Sequence, residues 1–341
     1  MPAKELATAK LLPLAIFLAC GVTIAFSEIG FSQTADIGAA KKERAIVFYA
    51  ATRASDADEA MKRFMKKYPF VKGEYYRAGG DPLLQRILTE AKGGKHLWDV
   101  VSALGPQIIS LKEKGLLAPY KSPHQRFYPK GFYDPEGYWT DTYDLFITIA
   151  YNTQLVPKDK VPDSWQALLD PRWKDRKICL DVRRQDWFVG MREALGKEQA
   201  RVYMERLRKQ NPLFQQGNTL IVQLMAAGEF PVAITYAHSV EQMKEKGAPI
   251  DWVTVDPMIA ITEPIALSKN APHPNAGKLF IDFLLSKEGA ELLKEQQRVP
   301  ARSDVEPLTD RLNPKKLKLH PVNISSEKLD PKTFREYFGI N

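Results

Sequence analysis

Residues 145–151 (LFITIAY) and 258–268 (MIAITEPIALS) are two long apolar runs, and they decide the fold of this chain. Both are rich in β-branched residues, a composition typical of buried strands. They bracket a separate block, 152–257, so the chain crosses between two bodies twice. Two crossing strands predict a hinge, and a ligand cleft is expected between the bodies that they join.

Strand and helix patterns alternate on both sides of the first crossing strand. Before it we predict strands at 45–50, 71–76 and 98–101, and helices at 56–69, 83–92 and 106–114. After it we predict strands at 177–182 and 231–236, and helices at 165–169, 197–210, 221–227, 276–285 and 288–296. This alternation predicts an α/β fold in two lobes, with mixed, mostly parallel sheets flanked by helices and joined by a two-strand hinge.

The same pattern gives the predicted domain boundaries. Lobe 1 is discontinuous and combines 45–145 with 264–310, whereas lobe 2 is 146–263. Residues 28–44 are polar and small and are predicted to form a flexible leader. Residues 311–341 are predicted to be a C-terminal tail that packs on lobe 1.

The N-terminus predicts export. Lys4 and Lys10 lead into an uncharged run at 11–26, and small residues precede a cleavage site after Ser27, as in a secretory signal peptide 1–27. Two alternatives stay open, a retained anchor helix and a lipoprotein lipidated at Cys20. We expect a periplasmic protein whose remaining cysteine, Cys179, lies in an apolar strand and is inert.

The composition excludes several classes of function. The 341 residues carry 49 Lys and Arg against 41 Asp and Glu, a net charge of +8, and signal-peptide removal lowers it only to +7. The basic residues alternate with acidic ones on amphipathic helices, which indicates a solvated surface rather than a nucleic-acid footprint. Nucleophile-elbow, zinc-protease, Walker A and dinucleotide motifs do not occur, so we expect no enzyme and no cofactor.

Several segments, in this order and spacing, resemble the extracellular solute-binding proteins of ABC importers, specifically the ferric-ion-binding type. They are 46–65, 98–101 (WDVV), 151–153 (YNT), 162–173 (PDSWQALLDPRW) and 274–290, which begins PNAGKLFIDFLLS. The resemblance implies a type II two-lobed periplasmic binding fold that captures a solute and delivers it to a membrane-embedded ABC permease without chemistry. A monomer that binds no nucleic acid is expected.

Ferric-ion-binding members place two adjacent tyrosines just after the strand that corresponds here to 232–235. This chain has only Tyr236 there, and His238 and Ser239 stand near the pair's position. We therefore predict a small anionic solute, a phosphonate, organophosphate or carboxylate. Ferric ion is the alternative, with Tyr236 and His238 as the candidate ligands. An exported enzyme and a partner protein for a sensor are alternatives from other classes.

Candidate ligand-binding residues follow from the chemistry that anions need. Helix N-termini present free N–H groups, and three loop-to-helix junctions qualify, at 52–55, 79–81 and 217–219. Arginine guanidinium groups clamp oxyanions, and hydroxyl or ring groups at strand ends donate hydrogen bonds. The predicted site residues are Arg53, Ser55, Gly80, Ser102, Tyr151, Arg183, Arg184, Asn218, Thr219, Tyr236 and His238.

Overall fold

The computed structural model describes residues 35–322 and 331–340 of the chain. The predicted signal peptide, its cleavage site and Cys20 lie outside these residues. Within the described part, no helix is both long enough and apolar enough to cross a bilayer.

Helices and strands alternate along the described chain, joined by short 3-10 turns. The helices are α1 Ile37–Glu43, α2 Ala54–Lys67, α3 Gly80–Lys92, α4 Gly105–Glu113, α5 Gln185–Leu195, α6 Lys197–Arg208, α7 Asn218–Ala226, α8 Ala237–Glu245, α9 Pro274–Leu285, α10 Lys287–Glu295 and α11 Pro331–Phe338. The strands are β1 Ala45–Ala50, β2 Lys72–Arg77, β3 Val100–Ser102, β4 Leu117–Ala118, β5 Thr140–Asn152, β6 Ile178–Asp181, β7 Leu213–Gln215, β8 Val232–Tyr236, β9 Ile250–Val253, β10 Met258–Ser268, β11 Val299–Pro300 and β12 Leu319–Pro321.

One sheet runs through both lobes, in the order β2-β1-β3-β10-β5-β8-β6-β7. Strands β1, β2 and β3 pair in parallel in lobe 1, and β6, β7 and β8 do so in lobe 2. Every antiparallel ladder between the described strands involves β5 or β10. The two predicted crossing strands therefore join two parallel half-sheets, which confirms the two-lobed α/β fold with a two-strand hinge.

The hinge strands pair directly with each other. Ile259 faces Ile147 and Ile265 faces Thr140, with a shift of register between Thr262 and Pro264. A β-bulge of this kind bends a strand and re-aims the side chain at the irregularity. Here that residue is Glu263.

Each lobe has its own apolar core. The lobe 2 core surrounds Trp165, Trp187 and Tyr203, and β5 and β10 contribute Ile147, Ile149 and Ile259 to it. The lobe 1 cores contain a cluster of aromatic rings from β1, α2 and α9, and a second group of residues on the opposite face of β1. The predicted boundaries are kept below as the definition of lobe 1 and lobe 2.

The C-terminal tail packs on lobe 2, so the prediction that it packs on lobe 1 was wrong. Strand β12 pairs in parallel with residues Met258–Ala260 of β10, on the lobe 2 side of the hinge. The ring centres of Phe334 and Phe188 lie 6.2 Å apart, and Phe334 is fully buried in the lobe 2 core. The tail therefore adds the side chains of Phe334 and Phe338 to the lobe 2 core.

The leader also differs from its prediction as a flexible segment over 28–44. Residues 37–43 form helix α1, which Asp36 caps by accepting a hydrogen bond from the Ala39 amide at 3.0 Å. The helix packs against α9, and Glu43 accepts hydrogen bonds from the amides of Asn275 and Ala276. Contacts distant in sequence therefore order the second half of the leader.

Cys179 is the free cysteine of the described residues and lies in β6 with no exposed surface. Burial raises the pKa of its thiol to about 12, with the charge of Asp181 adding to the effect. The thiolate is therefore negligible at neutral pH, as expected for an inert buried cysteine.

Candidate functional site

A cleft of about 610 Å³ lies between the lobes, where the hinge strands form part of its wall. Lobe 1 contributes the segment after β1 and the start of α3, and lobe 2 contributes the starts of α5, α7 and α8. Its volume is within the range of sites for small solutes, about 300–1,000 Å³. The cleft therefore occupies the position predicted from the two-lobed fold.

Helices α3, α5 and α7 are among those that begin at the wall of the cleft. Residues Gly79 to Pro82 start α3, Arg184 to Asp186 start α5, and Gly217 to Thr219 start α7. The first N–H groups of a helix have no partner within the helix, and the helix dipole is positive at this end. The start of α3 faces those of α5 and α7 across the cleft, and this arrangement suits an anion.

Asp181 holds the loop that precedes α7. One carboxylate oxygen accepts the Arg183 amide at 2.9 Å and the other accepts the Gly217 amide at 2.9 Å. Burial opposes ionisation of Asp181, but the charges of Arg184 and Arg183 outweigh it and lower the pKa of the carboxyl group. Gly217 has φ +106°, a conformation that other residues adopt only with strain. The loop therefore keeps a fixed shape.

Arg184 is the most deeply buried cation on the cleft wall, with only 1% of its surface exposed. Its Nη2 donates to Asn218, and its guanidinium carbon lies 4.6 Å from the centre of the Tyr236 ring. Its Nη1 is 3.8 Å from Asp186, which is too far for a hydrogen bond. Both Nε and Nη1 are without a hydrogen-bond partner among the described residues. A buried guanidinium with unused donors calls for an acceptor from outside the chain.

His238 offers a neutral donor on the cleft wall. Burial, together with the charges of Arg298 and Arg53, holds the pKa of His238 well below its ordinary value. Arg298 Nη1 donates to Nε2 of the ring at 3.0 Å, so the proton of the neutral ring is on Nδ1. That Nδ1 is buried and has no partner within the described chain. The ring stacks against Tyr236 at 5.6 Å between centres.

Arg53 uses its guanidinium to bridge the lobes. Its Nε donates to Asp56 at 3.0 Å and its Nη2 to the Gln296 carbonyl at 3.0 Å, both in lobe 1. Its Nη1 donates across the cleft to Gln242 of α8 at 2.9 Å. Arg53 lines the cleft, but each of its nitrogens already has a protein partner.

Three buried carboxyl groups lie where the hinge strands meet. Burial raises the pKa of Glu263 to about 7, although the charge of Arg298 opposes the shift. Burial likewise raises the pKa of Asp144 to about 7. Burial and repulsion from Asp144 raise the pKa of Asp141 well above its ordinary value. Of the three, Glu263 lines the cleft.

The structure brings most of the predicted residues together on the cleft wall. They are Arg53, Gly80, Arg183, Arg184, Asn218, Thr219, Tyr236 and His238. Arg183 and Arg184 differ sharply, because the Arg183 side chain is 47% exposed and is paired with Asp181. Residues of each predicted junction line the cleft, because strand-to-helix connections at the carboxyl ends of parallel strands gather at one edge of a sheet.

Three predicted residues lie elsewhere. Ser55 is exposed on α2, and its hydroxyl is 3.3 Å from Asp56. Ser102 is the last residue of β3 and is buried between Ala50 and Ile265, because the strand extends one residue beyond its predicted end. Tyr151 pairs with Val232, at the opposite end of β8 from Tyr236, because β5 and β8 are antiparallel.

Glu263 and Arg298 are among the buried residues of the cleft that the sequence reasoning missed. A signal for Glu263 was available, since it is the sole charged residue within 258–268. Arg298 gave no local signal. It precedes β11, and only the pairing of β11 with β5 brings it beside the cleft.

The described residues contain no group of three or more His, Cys, Asp or Glu side chains that could hold a metal ion. Tyr143 and Tyr236 are the tyrosines of the cleft wall. Burial is the main cause that raises the pKa of each phenol. Arg298 and Arg184 lie 4.9 and 4.6 Å from the two ring centres, so a cation would meet fixed positive charge.

Comparison with known proteins identifies the family of this chain. A family model described as bacterial extracellular solute-binding protein matches residues 98–324. A putative 2-aminoethylphosphonate-binding periplasmic protein of Salmonella typhimurium is 25% identical over 245 residues, which is 68% of this chain and 70% of that protein.

Solved structures share the fold. Iron-bound HitA from Pseudomonas aeruginosa superposes with a TM-score of 0.76 at 19% identity, over 86% of this chain and 98% of that one. The periplasmic binding protein AfuA from Actinobacillus pleuropneumoniae, with fructose-6-phosphate bound, gives a TM-score of 0.73 at 24% identity, over 86% and 96% of the two chains. These two structures hold different ligands, iron and fructose-6-phosphate, so the likeness shows the fold and does not identify the solute.

Proposed function

This chain belongs to the family of bacterial extracellular solute-binding proteins, and we propose that it captures a small anionic solute in its interlobe cleft. It then delivers the solute to a membrane-embedded ABC permease. The solute is a phosphonate, an organophosphate or a carboxylate. No chemical step is part of the proposal, because the family and its structural neighbours are binding proteins.

The observation that carries the proposal is the set of buried, unpaired donors at the start of α5 and α8. Arg184 Nε, Arg184 Nη1 and His238 Nδ1 are all donors, and all lack partners among the described residues. Leaving a buried donor unpaired costs about 1–3 kcal/mol, and more where the group is charged. An oxyanion accepts several hydrogen bonds at once and would satisfy these groups together.

The relatives support an anion in a general way. The Salmonella relative is named as a putative 2-aminoethylphosphonate-binding protein, and the AfuA structure holds a sugar phosphate. Ferric ion is the second candidate, because HitA was solved with iron bound. The cleft favours it less, since Arg184 and Arg298 stand beside the two tyrosines that would have to ionise.

The test is a thermal-shift screen of the purified protein, followed by calorimetric titration of each hit. The panel contains alkylphosphonates, glycerol phosphate, short dicarboxylates and ferric citrate. A ligand that binds only the folded state raises the melting temperature. We expect a phosphonate, phosphate or carboxylate to stabilise the protein and to bind with a Kd of about 1 μM or below, ~8 kcal/mol.

Two results would contradict the proposal. Stabilisation by ferric ion alone, with a visible phenolate-to-iron absorption band, would assign the cleft to a metal. Turnover of a stabilising solute, seen as product by mass spectrometry, would make the protein an enzyme. The exported-enzyme prediction would then replace the binding-protein proposal.

A further inference from the structure

Glu263 occupies a position in the cleft that anion binding does not explain. It stands at the bulge of β10, where Asp141 accepts its amide at 2.8 Å and Thr142 donates to its carbonyl at 2.6 Å. These contacts fix the backbone on both sides of the carboxyl group. The residue is 3% exposed and lines the cleft.

The carboxyl group of Glu263 accepts no hydrogen bond from any residue that the structure describes. The other three carboxylates of the cleft wall each have at least one donor. Asp81 accepts from Gln107, Asp181 from the Gly217 amide, and Asp186 from the Tyr236 hydroxyl. A buried carboxyl group without a donor is costly to ionise, which agrees with the rise of the Glu263 pKa to about 7.

The charges around the cleft are nearly balanced. The wall carries five arginines, Arg53, Arg77, Arg183, Arg184 and Arg298, against the four carboxylates just named. Asp56, directly behind the wall, accepts two hydrogen bonds from Arg298, at 3.1 and 2.7 Å. A purely anionic solute would satisfy the donors of Arg184 but would leave Glu263 unpaired. A solute with one negative and one positive group would pair with both Arg184 and Glu263.

We propose that Glu263 receives a protonated amine of the solute while Arg184 holds its anionic group, so that the solute is a zwitterion. This inference rests on the proposed function, since it places a second contact in the same cleft. A cationic donor suits the site better than a hydroxyl group. Only a cation offsets the buried negative charge as well as supplying the hydrogen bond.

The experiment compares three phosphonates that share one skeleton: 2-aminoethylphosphonate, 2-hydroxyethylphosphonate and ethylphosphonate. Each is titrated calorimetrically into the wild-type protein at about pH 8, where Glu263 is largely ionised. We expect the amine to bind at least about 10-fold more tightly than either of the other two. Equal affinity for the three, or a preference for the hydroxyl compound, would overturn the inference.

A substitution then assigns the preference to one residue. Glu263→Gln keeps the shape and removes the charge, so we expect it to abolish the amine preference and to change ethylphosphonate affinity by about twofold or less. The retained ethylphosphonate binding shows that the variant is folded. Asp58→Asn, which removes a surface carboxylate of α2, is the control for charge and should keep the preference. An amine preference that survives in Glu263→Gln would exclude Glu263 as its source.

The outcomes separate the two claims. If wild-type protein binds all three phosphonates equally, the proposed anion site stands and the amine contact fails. If it binds none of them and no other anion of the panel, the proposed function fails and the amine contact fails with it.

Discussion

Arg183 and Arg184 are neighbours in sequence but occupy different environments. The Arg184 side chain is 1% exposed and has two unused donors, whereas the Arg183 side chain is 47% exposed and paired with Asp181. A buried cation contributes more to anion binding than an exposed one, because water screens it less. The difference between the two arginines is therefore a direct test of the site.

We expect Arg184→Ala to weaken binding of the anionic solute by about 100-fold, ~2.7 kcal/mol, through loss of charged hydrogen bonds. Arg183→Ala should weaken it by about threefold at most. Calorimetric titration of both variants measures this. If the exposed arginine has the larger effect, Arg184 is a structural residue. A far-ultraviolet circular dichroism spectrum of Arg184→Ala shows whether the variant is folded.

Arg53 was predicted as a clamp for the solute, and its contacts suggest a different contribution. Since its three nitrogens already donate to Asp56, Gln242 and the Gln296 carbonyl, we expect Arg53→Ala to reduce affinity by about 10-fold or less. The loss would come from the bridge between the lobes. Titration with the same solute measures it, and complete loss of binding would support the original clamp.

Hinge strand β10 has the bounds that were predicted for it, whereas hinge strand β5 begins five residues before its predicted start, at Thr140. Their length and apolar character indicated buried strands directly. Helices α5 and α8 were missed. α8 follows β8 without a loop, and α5 contains a run of consecutive buried apolar residues that includes Trp187, Phe188 and Val189. A local pattern shows a polar and an apolar face only where a helix has both.

The carboxyl groups of the hinge predict how stability depends on pH. The pKa of Glu263 is raised to about 7 in the folded protein, so the folded state keeps a proton that the unfolded chain has lost. The associated stability is fully present below the unfolded-state pKa of about 4.3 and is lost as the pH rises through about 7. Glu263 is a destabilising group at pH 8 in the absence of solute.

We therefore expect ligand-free Glu263→Gln to gain stability relative to wild type between about pH 5 and pH 8, by up to ~3 kcal/mol. Urea unfolding at a series of pH values measures the difference. Asp58→Asn, which removes a carboxylate from the surface of α2, is the control for the loss of one negative charge. A flat curve for Glu263→Gln would mean that Glu263 is ionised at little cost in the folded protein.

At the scale of the whole molecule, the chain returns to lobe 2 after completing lobe 1. Phe334 and Phe338 of α11 enter the lobe 2 core, with the ring of Phe338 5.6 Å from that of Phe214. The sequence analysis placed the tail on lobe 1. Its partners in lobe 2 lie more than a hundred residues away, so no local pattern identifies them. Arg298 could not be predicted for a similar reason, because its position at the cleft depends on the pairing of β11 with the distant strand β5.

We expect Phe334→Ala to lower the free energy of unfolding by about 3–5 kcal/mol, because it empties a fully buried site. Glu336→Ala, at an exposed position of the same helix, should change it by about 0.5 kcal/mol or less. Urea denaturation followed by tryptophan fluorescence measures both. A small effect of Phe334→Ala would show that the tail adds little to the lobe 2 core.

The buried thiol of Cys179 has a practical consequence for optical measurements on this protein. Because its thiol is inaccessible and almost entirely protonated, maleimide dyes should label an introduced cysteine with little background from β6. Leu220 is a suitable site, since it is 41% exposed at the rim of the cleft. A dye attached at Leu220→Cys would lie at the cleft wall, where an entering solute changes its surroundings. Binding of the solute could then be measured as a change in the fluorescence of the dye.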